Sequence, residues 1–163
     1  IGDAGAVSIK WPNDVRIDGL KTSGILMELH AEASRVGFLV LGIGVNLNAE
    51  PSDFPEEFRA RATSLAAATG RPVARAAFAR RLYGTLEDVL DAHFTHGFDG
   101  LRDRFEPFFP MRGARVRVAD ADGRETGGRV LGVAPDGALR LLDEAGREHR
   151  VLAGDVTVTK EPR

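Results

Sequence analysis

The 163-residue chain has no cysteine, so it can form neither disulfide bonds nor thiolate metal sites. This composition is compatible with the cytoplasm, and we expect the protein there. The longest apolar stretch, residues 36–47, contains three glycines and is too short to span a bilayer. We therefore expect neither a membrane span nor a signal peptide.

The chain also lacks a strong net charge of either sign. Its 22 lysines and arginines face 24 aspartates and glutamates, which gives a formal net charge of -2. Because nucleic acids and membrane surfaces are usually bound through a strongly basic surface, the composition gives no support for either partner. A hydrophobic share of 43% and a charged share of 28% are typical of a folded globular protein.

Several residue types are scarce, and most of the scarce residues lie within the first 48 positions. These are the lysines Lys10, Lys21 and Lys160, the asparagines Asn13, Asn46 and Asn48, and the single tryptophan Trp11. The same region is rich in glycine. This clustering directs the search for chemistry to the beginning of the chain.

That region predicts a series of β-strands at residues 7–11, 15–17, 22–30 and 36–46. Asp18-Gly19 is typical of a tight hairpin, because glycine readily adopts the positive φ that such turns need. We expect an antiparallel meander. Its last strand is nearly continuously apolar, which predicts burial on both faces of the sheet.

The middle of the chain changes to helical periodicity. A short segment ends at Gly70, a long helix follows, and a last helix comes after Gly97. We expect their apolar stripes to face a core. The stripe residues are Phe58, Ala62, Leu65 and Ala66 in the first segment, Phe78, Leu82, Leu86, Val89, Leu90 and Phe94 in the second, and Phe98, Leu101, Phe105 and Phe108 in the third.

After Met111 the sequence predicts about five short strands separated by turns, a pattern that suits a small SH3-like barrel. The predicted fold class is α+β, with a mixed, largely antiparallel sheet and packed helices, followed by this small all-β barrel. The predicted domains are residues 1–110 and 111–160.

Three short elements of the first 48 residues carry polar or glycine residues suited to chemistry. Lys10-Trp11-Pro12-Asn13-Asp14 lies at a strand end, where proline restricts the backbone. The Asp18-Gly19 hairpin should bring Asp14 and Lys21 to the same end of the sheet. In Gly42-Ile43-Gly44-Val45-Asn46 the two glycines share one face of a strand, so a flat ligand can lie against the backbone.

The combined set resembles the biotin protein ligase family, the biotin–acetyl-CoA-carboxylase ligases. It consists of Lys-Trp-Pro-Asn-Asp at 10–14, Lys-x-x-Gly-Ile-Leu-x-Glu at 21–28 and Gly-Ile-Gly-x-Asn at 42–46. Three elements in the right order and spacing make the match specific. The resemblance continues less sharply through the helices, including His96-Gly97-Phe98, into the end of the chain. It implies a biotin/lipoate ligase-like fold, related to class II synthetases.

Members of this family join biotin to ATP with Mg²⁺ present, giving biotinyl-5′-AMP and pyrophosphate. They then acylate a lysine of the biotin carboxyl carrier protein, a subunit of acetyl-CoA carboxylase. The resemblance therefore implies ATP, biotin and Mg²⁺ as cofactors and substrates, and the carrier protein as partner.

The resemblance also implies roles for individual residues. Lys21 matches a lysine that contacts the biotin carboxylate and the α-phosphate, and Asp14 matches an aspartate that orients or deprotonates the incoming amine. The remaining matches are the biotin pocket at Gly24, Ile25, Gly42 and Gly44, and the nucleotide site at Lys10, Asn13 and Asn46. The four histidines show no metal-ligand arrangement except the weak i, i+3 pair His93 and His96, so we expect no protein-built metal site.

Several alternatives remain open. Asp14 could form only a salt bridge with Lys21, and Lys10 could be a solvated charge at a strand end. A lipoate-type ligase, a ligase that is also a biotin-responsive repressor, and an inactive interaction module are the competing functions. A homodimer through an exposed sheet edge is a further expectation.

The family's glycine- and arginine-rich loop, which lies before the Lys-Trp-Pro-Asn-Asp segment, has no counterpart in these 163 residues. The strands and helix of the first half of the catalytic domain have none either. We therefore expect the chain to be an incomplete member of the family, weakly active or inactive on its own.

Overall fold

The computed structural model of the chain describes residues 6–32 and 35–159. These residues form two compact units, the first from residues 6–9 and 13–80 and the second from residues 10–12 and 81–159. The domain boundary expected near residue 110 stays a prediction. Residue 160, the expected end of the second domain, lies outside the described residues.

An antiparallel meander is the main feature of the first unit, as predicted. The four strands are adjacent in chain order: β1 Val7–Lys10, β2 Asp14–Ile17, β3 Leu20–Glu32 and β4 Arg35–Val45. The turn between β2 and β3 is made by Asp18 and Gly19, whose φ angles are 49° and 80°. Aspartate and glycine tolerate this left-handed backbone better than most residues do, which explains their use here.

The predicted burial of β4 on both faces was wrong. Within the described part of the chain β4 is the last strand of its sheet. Phe38, Leu39 and Val40 are 56%, 51% and 49% exposed, and Leu26 and Met27 of β3 are more exposed still. A continuous apolar run predicts burial only if other elements cover both faces of the sheet, and these exposed side chains have no such cover in the described residues.

The helical region differs in detail from the predicted pattern. The helices are α1 Glu56–Arg59, α2 Leu65–Thr69, α3 Arg75–His96 and α4 Arg102–Phe105. The single segment expected across residues 58–66 is interrupted, because the backbone around residues 61–63 hydrogen-bonds to Lys21 instead of continuing a helix. Ser64 then caps α2 by accepting from the Ala67 N–H at 3.1 Å. As expected, α2 ends at Gly70, which has a positive φ of 67°.

The long helix is present, but its apolar stripe does not form a buried core. None of the residues of α3 is fully buried, and Leu90 and Phe94 are 37% and 81% exposed. An apolar stripe becomes core only where another element covers it, and sequence periodicity does not show whether one does. In the last helical region Phe98 and Phe105 pack against a core as predicted, whereas Phe108 is 43% exposed.

The second unit contains a five-stranded antiparallel sheet in the order β8-β7-β6-β5-β9. The strands are β5 Arg115–Ala119, β6 Glu125–Val133, β7 Leu139–Leu142, β8 Glu148–Val151 and β9 Asp155–Val158. About five strands were predicted, and five are present. In the described residues β8 and β9 lie at the two ends of this order and do not pair with each other. Closure into an SH3-like barrel therefore stays a prediction.

The core of the second unit lies on one face of this sheet. Along β5 the buried Val116 and Val118 alternate with exposed arginines, as expected for a sheet with one covered face. The core residues contributed by β5, β6 and β7 include Val116, Val118, Val130, Leu139 and Leu141, and they pack with Trp11, Phe109 and Met111. Among the described helices, none is both long and apolar enough to cross a membrane.

Candidate active site

Asp14 and Lys21 form an ion pair on the first sheet, as expected from the predicted Asp18-Gly19 hairpin. Lys21 Nζ lies 2.5 Å from Asp14 Oδ1. The Asp14 side chain is only 15% exposed, whereas the Lys21 side chain is 48% exposed. The ammonium group can therefore be reached from solvent, while the carboxylate is held largely beneath it.

A β-bulge decides which face of the sheet Lys21 occupies. Along the β2–β3 pair the register passes from Val15–Ser23 to Arg16–Lys21, which leaves Thr22 without a cross-strand partner. In a regular strand residues 21 and 24 would point to opposite faces, because side chains alternate. The extra residue reverses this alternation and re-aims the side chain before it.

Gly24 is the residue that Lys21 consequently covers. A Cβ built on Gly24 would lie 3.2 Å from both Cε and Nζ of Lys21, and 3.9 Å from Asp14 Oδ1. Asp14 is also the direct cross-strand partner of Gly24. The carboxylate, the ammonium group and this glycine therefore share one face of the sheet.

The same face continues across β4 as a floor without side chains. Gly44 is the cross-strand partner of Gly24, and Gly42 is the partner of Leu26. An open groove of about 480 Å³ lies here. Six predicted site residues line it, together with Leu26 and Ile43: Asn13, Lys21, Gly24, Ile25, Gly42 and Gly44.

Nothing in the described chain requires glycine at positions 42 and 44. Neither residue has a positive φ, and added Cβ atoms would lie 3.6 Å from Leu26 O and 3.9 Å from Gly24 O, which is ordinary contact. Glycine inside a strand costs roughly 0.5–1 kcal/mol relative to alanine. A bare floor kept at that cost is typical of a surface that another molecule approaches closely.

Asn13 also lies at this groove, but its amide nitrogen is already engaged. Asn13 Nδ2 donates to Ile25 O at 2.9 Å, and the Ile25 N–H donates to Asn13 O at 3.0 Å. This reciprocal pair ties the beginning of β2 to the groove. The expected nucleotide role of Asn13 would therefore use its side-chain oxygen.

The structure does not bring the other two expected nucleotide residues into the groove lining. Lys10 ends β1, is half-buried and belongs to the second unit. Asn46 follows β4, and its Nδ2 donates to Thr63 O at 3.1 Å. The sequence placed both residues correctly at strand ends but did not indicate these surroundings.

A segment at residues 61–64 supports Lys21 and was missed by sequence reasoning. The Lys21 N–H donates to Arg61 O at 2.8 Å, and the Thr63 N–H donates to Lys21 O at 2.9 Å. These two bonds form a short parallel bridge to β3. The polar side chain of Ser64, which is fully buried, was the one available signal, since serine is a preferred helix N-cap.

Comparison with known proteins gives consistent results. A family model described as the biotin protein ligase C terminal domain matches residues 113–158. The bifunctional ligase/repressor BirA of Bacillus subtilis is 38% identical over 148 residues, which are 91% of this chain and 45% of that protein. The biotin–acetyl-CoA-carboxylase ligase of Mycobacterium tuberculosis is 34% identical over 148 residues, 91% of this chain and 52% of that protein.

Solved structures extend the likeness to the fold. The biotin protein ligase from Aquifex aeolicus in complex with biotin and ATP is 26% identical with a TM-score of 0.78, and the match covers 95% of this chain and 62% of that one. The chain spans about half the length of the curated relatives described above.

Proposed function

Because this chain is a homologue of the biotin protein ligases over 91% of its length, we propose that it forms part of an enzyme that attaches biotin to a lysine. The observation that carries the proposal is the glycine floor at 24, 42 and 44, next to the Asp14–Lys21 pair. A flat ring can lie against such a floor, and the neighbouring ammonium group can donate hydrogen bonds to a carboxylate or a phosphate.

In the first step Lys21 stabilises negative charge. An oxygen of the biotin carboxylate attacks the α-phosphorus of ATP, the bond to the β-phosphate oxygen breaks, and pyrophosphate leaves. Lys21 Nζ lies over Gly24 at the groove, where a ligand carboxylate and the α-phosphate would meet. A fixed ammonium group lowers the barrier because charge on the phosphoryl oxygens needs no solvent reorganisation.

In the second step Asp14 acts on the incoming amine. The lysine nitrogen attacks the acyl carbon of biotinyl-5′-AMP, an amide bond forms, AMP leaves, and the nitrogen loses its proton. Asp14 is largely buried, and it is neutralised by Lys21 in this structure. When an anionic ligand competes for Lys21, the carboxylate becomes available to orient the amine and accept its proton.

The remaining assignments follow the groove. Gly24, Ile25, Gly42 and Gly44 hold biotin, since all four line it. Asn13, at the same groove, binds the nucleotide. The nucleotide roles of Lys10 and Asn46, which do not line the groove, rest on the family resemblance alone. Asp14, whose Oδ1 lies 3.9 Å from a Cβ built on Gly24, is a carboxylate beside the groove that would hold Mg²⁺, an ion that normally reaches such sites on substrate phosphates. No group of three or more metal-binding side chains occurs in the described residues.

The proposal also covers organisation and partners. Residues 1–110 belong to a catalytic domain and residues 111–160 to a C-terminal domain, which the family match at 113–158 supports. The partner is a biotin carboxyl carrier protein, and the reaction takes place in the cytoplasm, where ATP is available. Pairing of two copies through the free edge of β4 remains a prediction.

The test is biotin-dependent exchange of labelled pyrophosphate into ATP by the protein at its natural length. We expect exchange with biotin and little with lipoate, because the Trp-Pro-Asn-Asp element and the C-terminal unit favour a biotin ligase over a lipoate-type ligase. Exchange that requires lipoate would replace this proposal with the lipoate-type ligase. The 163-residue chain alone should show weak exchange or none.

A repressor function is the second candidate, because the Bacillus subtilis relative is named a bifunctional ligase/repressor. The net charge of -2 gives no support for this function. Biotin-dependent DNA binding by the natural-length protein would establish it in addition to ligation, whereas unchanged DNA mobility would limit the function to ligation.

A further inference from the structure

Arg16 of β2 is a second cation beside Lys21. The two residues are direct cross-strand partners, and like charges in this arrangement repel one another. Lys21 is neutralised by Asp14, since Nζ lies 2.5 Å from Oδ1. Arg16 has no ion-pair partner within residues 6–32 and 35–159. This end of the sheet therefore has a positive charge that the described residues do not neutralise.

The Arg16 side chain also lacks a hydrogen bond. The residue is half-buried, and its Nε is buried without an acceptor in the part of the chain that the structure describes. A buried donor that has left water without gaining a partner is unfavourable. Arginine does not lose its proton in proteins, so deprotonation cannot relieve this cost. A bound anion would relieve both the repulsion and the missing hydrogen bond.

Arg16 lies on the same face of the sheet as the candidate site. Side chains alternate along a strand, so Arg16 and Asp14, two residues apart in β2, point to one face. Asp14 is the cross-strand partner of Gly24, and Arg16 is that of Lys21. Arg16 does not line the groove and lies beyond its Lys21 end, about 7 Å from Asp14 along β2. The order along this face is therefore the glycine floor, then Lys21 with Asp14, then Arg16.

We propose that Arg16 binds the phosphates of ATP that follow the α-phosphate, and so holds pyrophosphate as it leaves. The inference rests on the proposed function, in which biotin lies on the glycine floor and its carboxylate meets the α-phosphate at Lys21. The β- and γ-phosphates then continue away from the floor, toward the guanidinium group. When the bond from the α-phosphorus to the bridging oxygen breaks, its electron pair passes to pyrophosphate. A guanidinium group can donate two parallel hydrogen bonds to these oxygens.

Three substitutions separate this role from a general effect of charge. Arg16→Leu removes the charge and the donors but keeps an apolar side chain at a half-buried position. Arg16→Lys keeps the charge and loses the Nε donor and the planar fork. Arg71→Leu is the matched control for net charge, because Arg71 is exposed and follows α2, outside the first sheet.

The first readout is the affinity of the natural-length protein for inorganic pyrophosphate, measured by calorimetry at constant ionic strength. Arg16→Leu should raise the Kd about tenfold or more, the effect of losing charge-assisted hydrogen bonds. Arg16→Lys should recover part of this loss, and Arg71→Leu should bind like the parent. Equal weakening in Arg71→Leu would show unspecific attraction of an anion and would overturn the proposal.

The second readout is thermal unfolding of the 163-residue chain without ligand. Arg16→Leu should leave Tm unchanged or raise it, because the repulsion from Lys21 and the unsatisfied donor are both removed. An arginine with only a structural role would give the opposite pattern. A lowered Tm together with an unchanged Kd for pyrophosphate would therefore overturn the proposal.

The third readout is the exchange assay with the natural-length protein. Arg16→Leu should raise the KM for pyrophosphate about tenfold and leave the affinity for biotin alone unchanged. A loss of biotin affinity would place Arg16 at the biotin carboxylate and contradict the proposal. If Lys21→Ala kept full exchange, the proposed function would fail, whereas the pyrophosphate affinity of Arg16→Leu would still show whether Arg16 binds phosphates.

Discussion

The two sheets use glycine for opposite reasons. In the second unit a Cβ on Gly128 of β6 would lie 2.6 Å from Leu142 O, and one on Gly154, just before β9, would lie 2.6 Å from Ala119 O. Those glycines are explained by the close approach of the chain to itself. In the first sheet Gly42 and Gly44 have room for a side chain. Under the proposed function, a ligand that lies against the strand accounts for the lack of side chains at these two positions.

The sheets also differ in how they bury apolar side chains. Val116, Leu139 and Leu141 of the second sheet are at most 2% exposed. On the first sheet Leu29 and Phe38 are 61% and 56% exposed. Burial of apolar surface is the main source of folding free energy, so the second unit should hold most of the stability of this chain. Within the described residues, the first sheet leaves several large apolar side chains of β3 and β4 exposed.

The largest expected effect is on stability. Leu139→Ala should lower the free energy of unfolding by about 2–5 kcal/mol, because a fully buried leucine leaves a cavity. Leu29→Ala, the matched change on the first sheet, should cost less than about 1 kcal/mol. Urea denaturation of both variants measures the difference. Equal losses would show that β3 is packed as tightly as β7, and the contrast between the sheets would disappear.

The second-largest expected difference between the two sheets is in their response to replacing a glycine with alanine. Gly128→Ala should destabilise the chain by about 1–3 kcal/mol, since its Cβ would meet a backbone carbonyl. Gly44→Ala should leave stability unchanged or raise it by up to about 1 kcal/mol. In the natural-length protein, however, it should weaken biotin binding measured by calorimetry. Undiminished biotin affinity together with unchanged stability would remove the reason we give for the bare floor.

The smallest effect is a pH dependence confined to the second unit. A hydrogen bond from His149, assisted by the backbone N–H of Arg147, holds the pKa of Asp143 well below its ordinary value of 3.8. A depressed carboxyl pKa adds stability that is complete above about pH 4 and is lost as the pH falls further. Asp143→Asn should therefore flatten the acid limb of a plot of stability against pH. An acid limb identical to that of the parent chain would contradict this assignment.

The sequence predicted the residues of the candidate site better than it predicted the backbone contacts that hold them in place. The approach of Asp14 to Lys21, and the shared face of Gly42 and Gly44, could be predicted, since hairpin pairing and strand alternation are local rules. The bulge at Thr22 could not, because it depends on bonds from residues 46 and 61–63 that are distant in sequence. Burial of β4 was predicted wrongly for the same kind of reason: an apolar run carries no information about which elements cover it.

The most direct test of the account is the rate of biotin-dependent pyrophosphate exchange in the natural-length protein carrying Lys21→Ala. Removing the ammonium group from the glycine face should slow exchange by about a hundredfold or more, as loss of a charge-stabilising donor does in other enzymes. Some loss of stability should accompany it, because Asp14, whose side chain is 15% exposed, loses its partner, so the rate is compared at a temperature where the unfolding curve shows both proteins folded. Exchange at the parent rate would contradict the assignment of this groove as the site of adenylate formation.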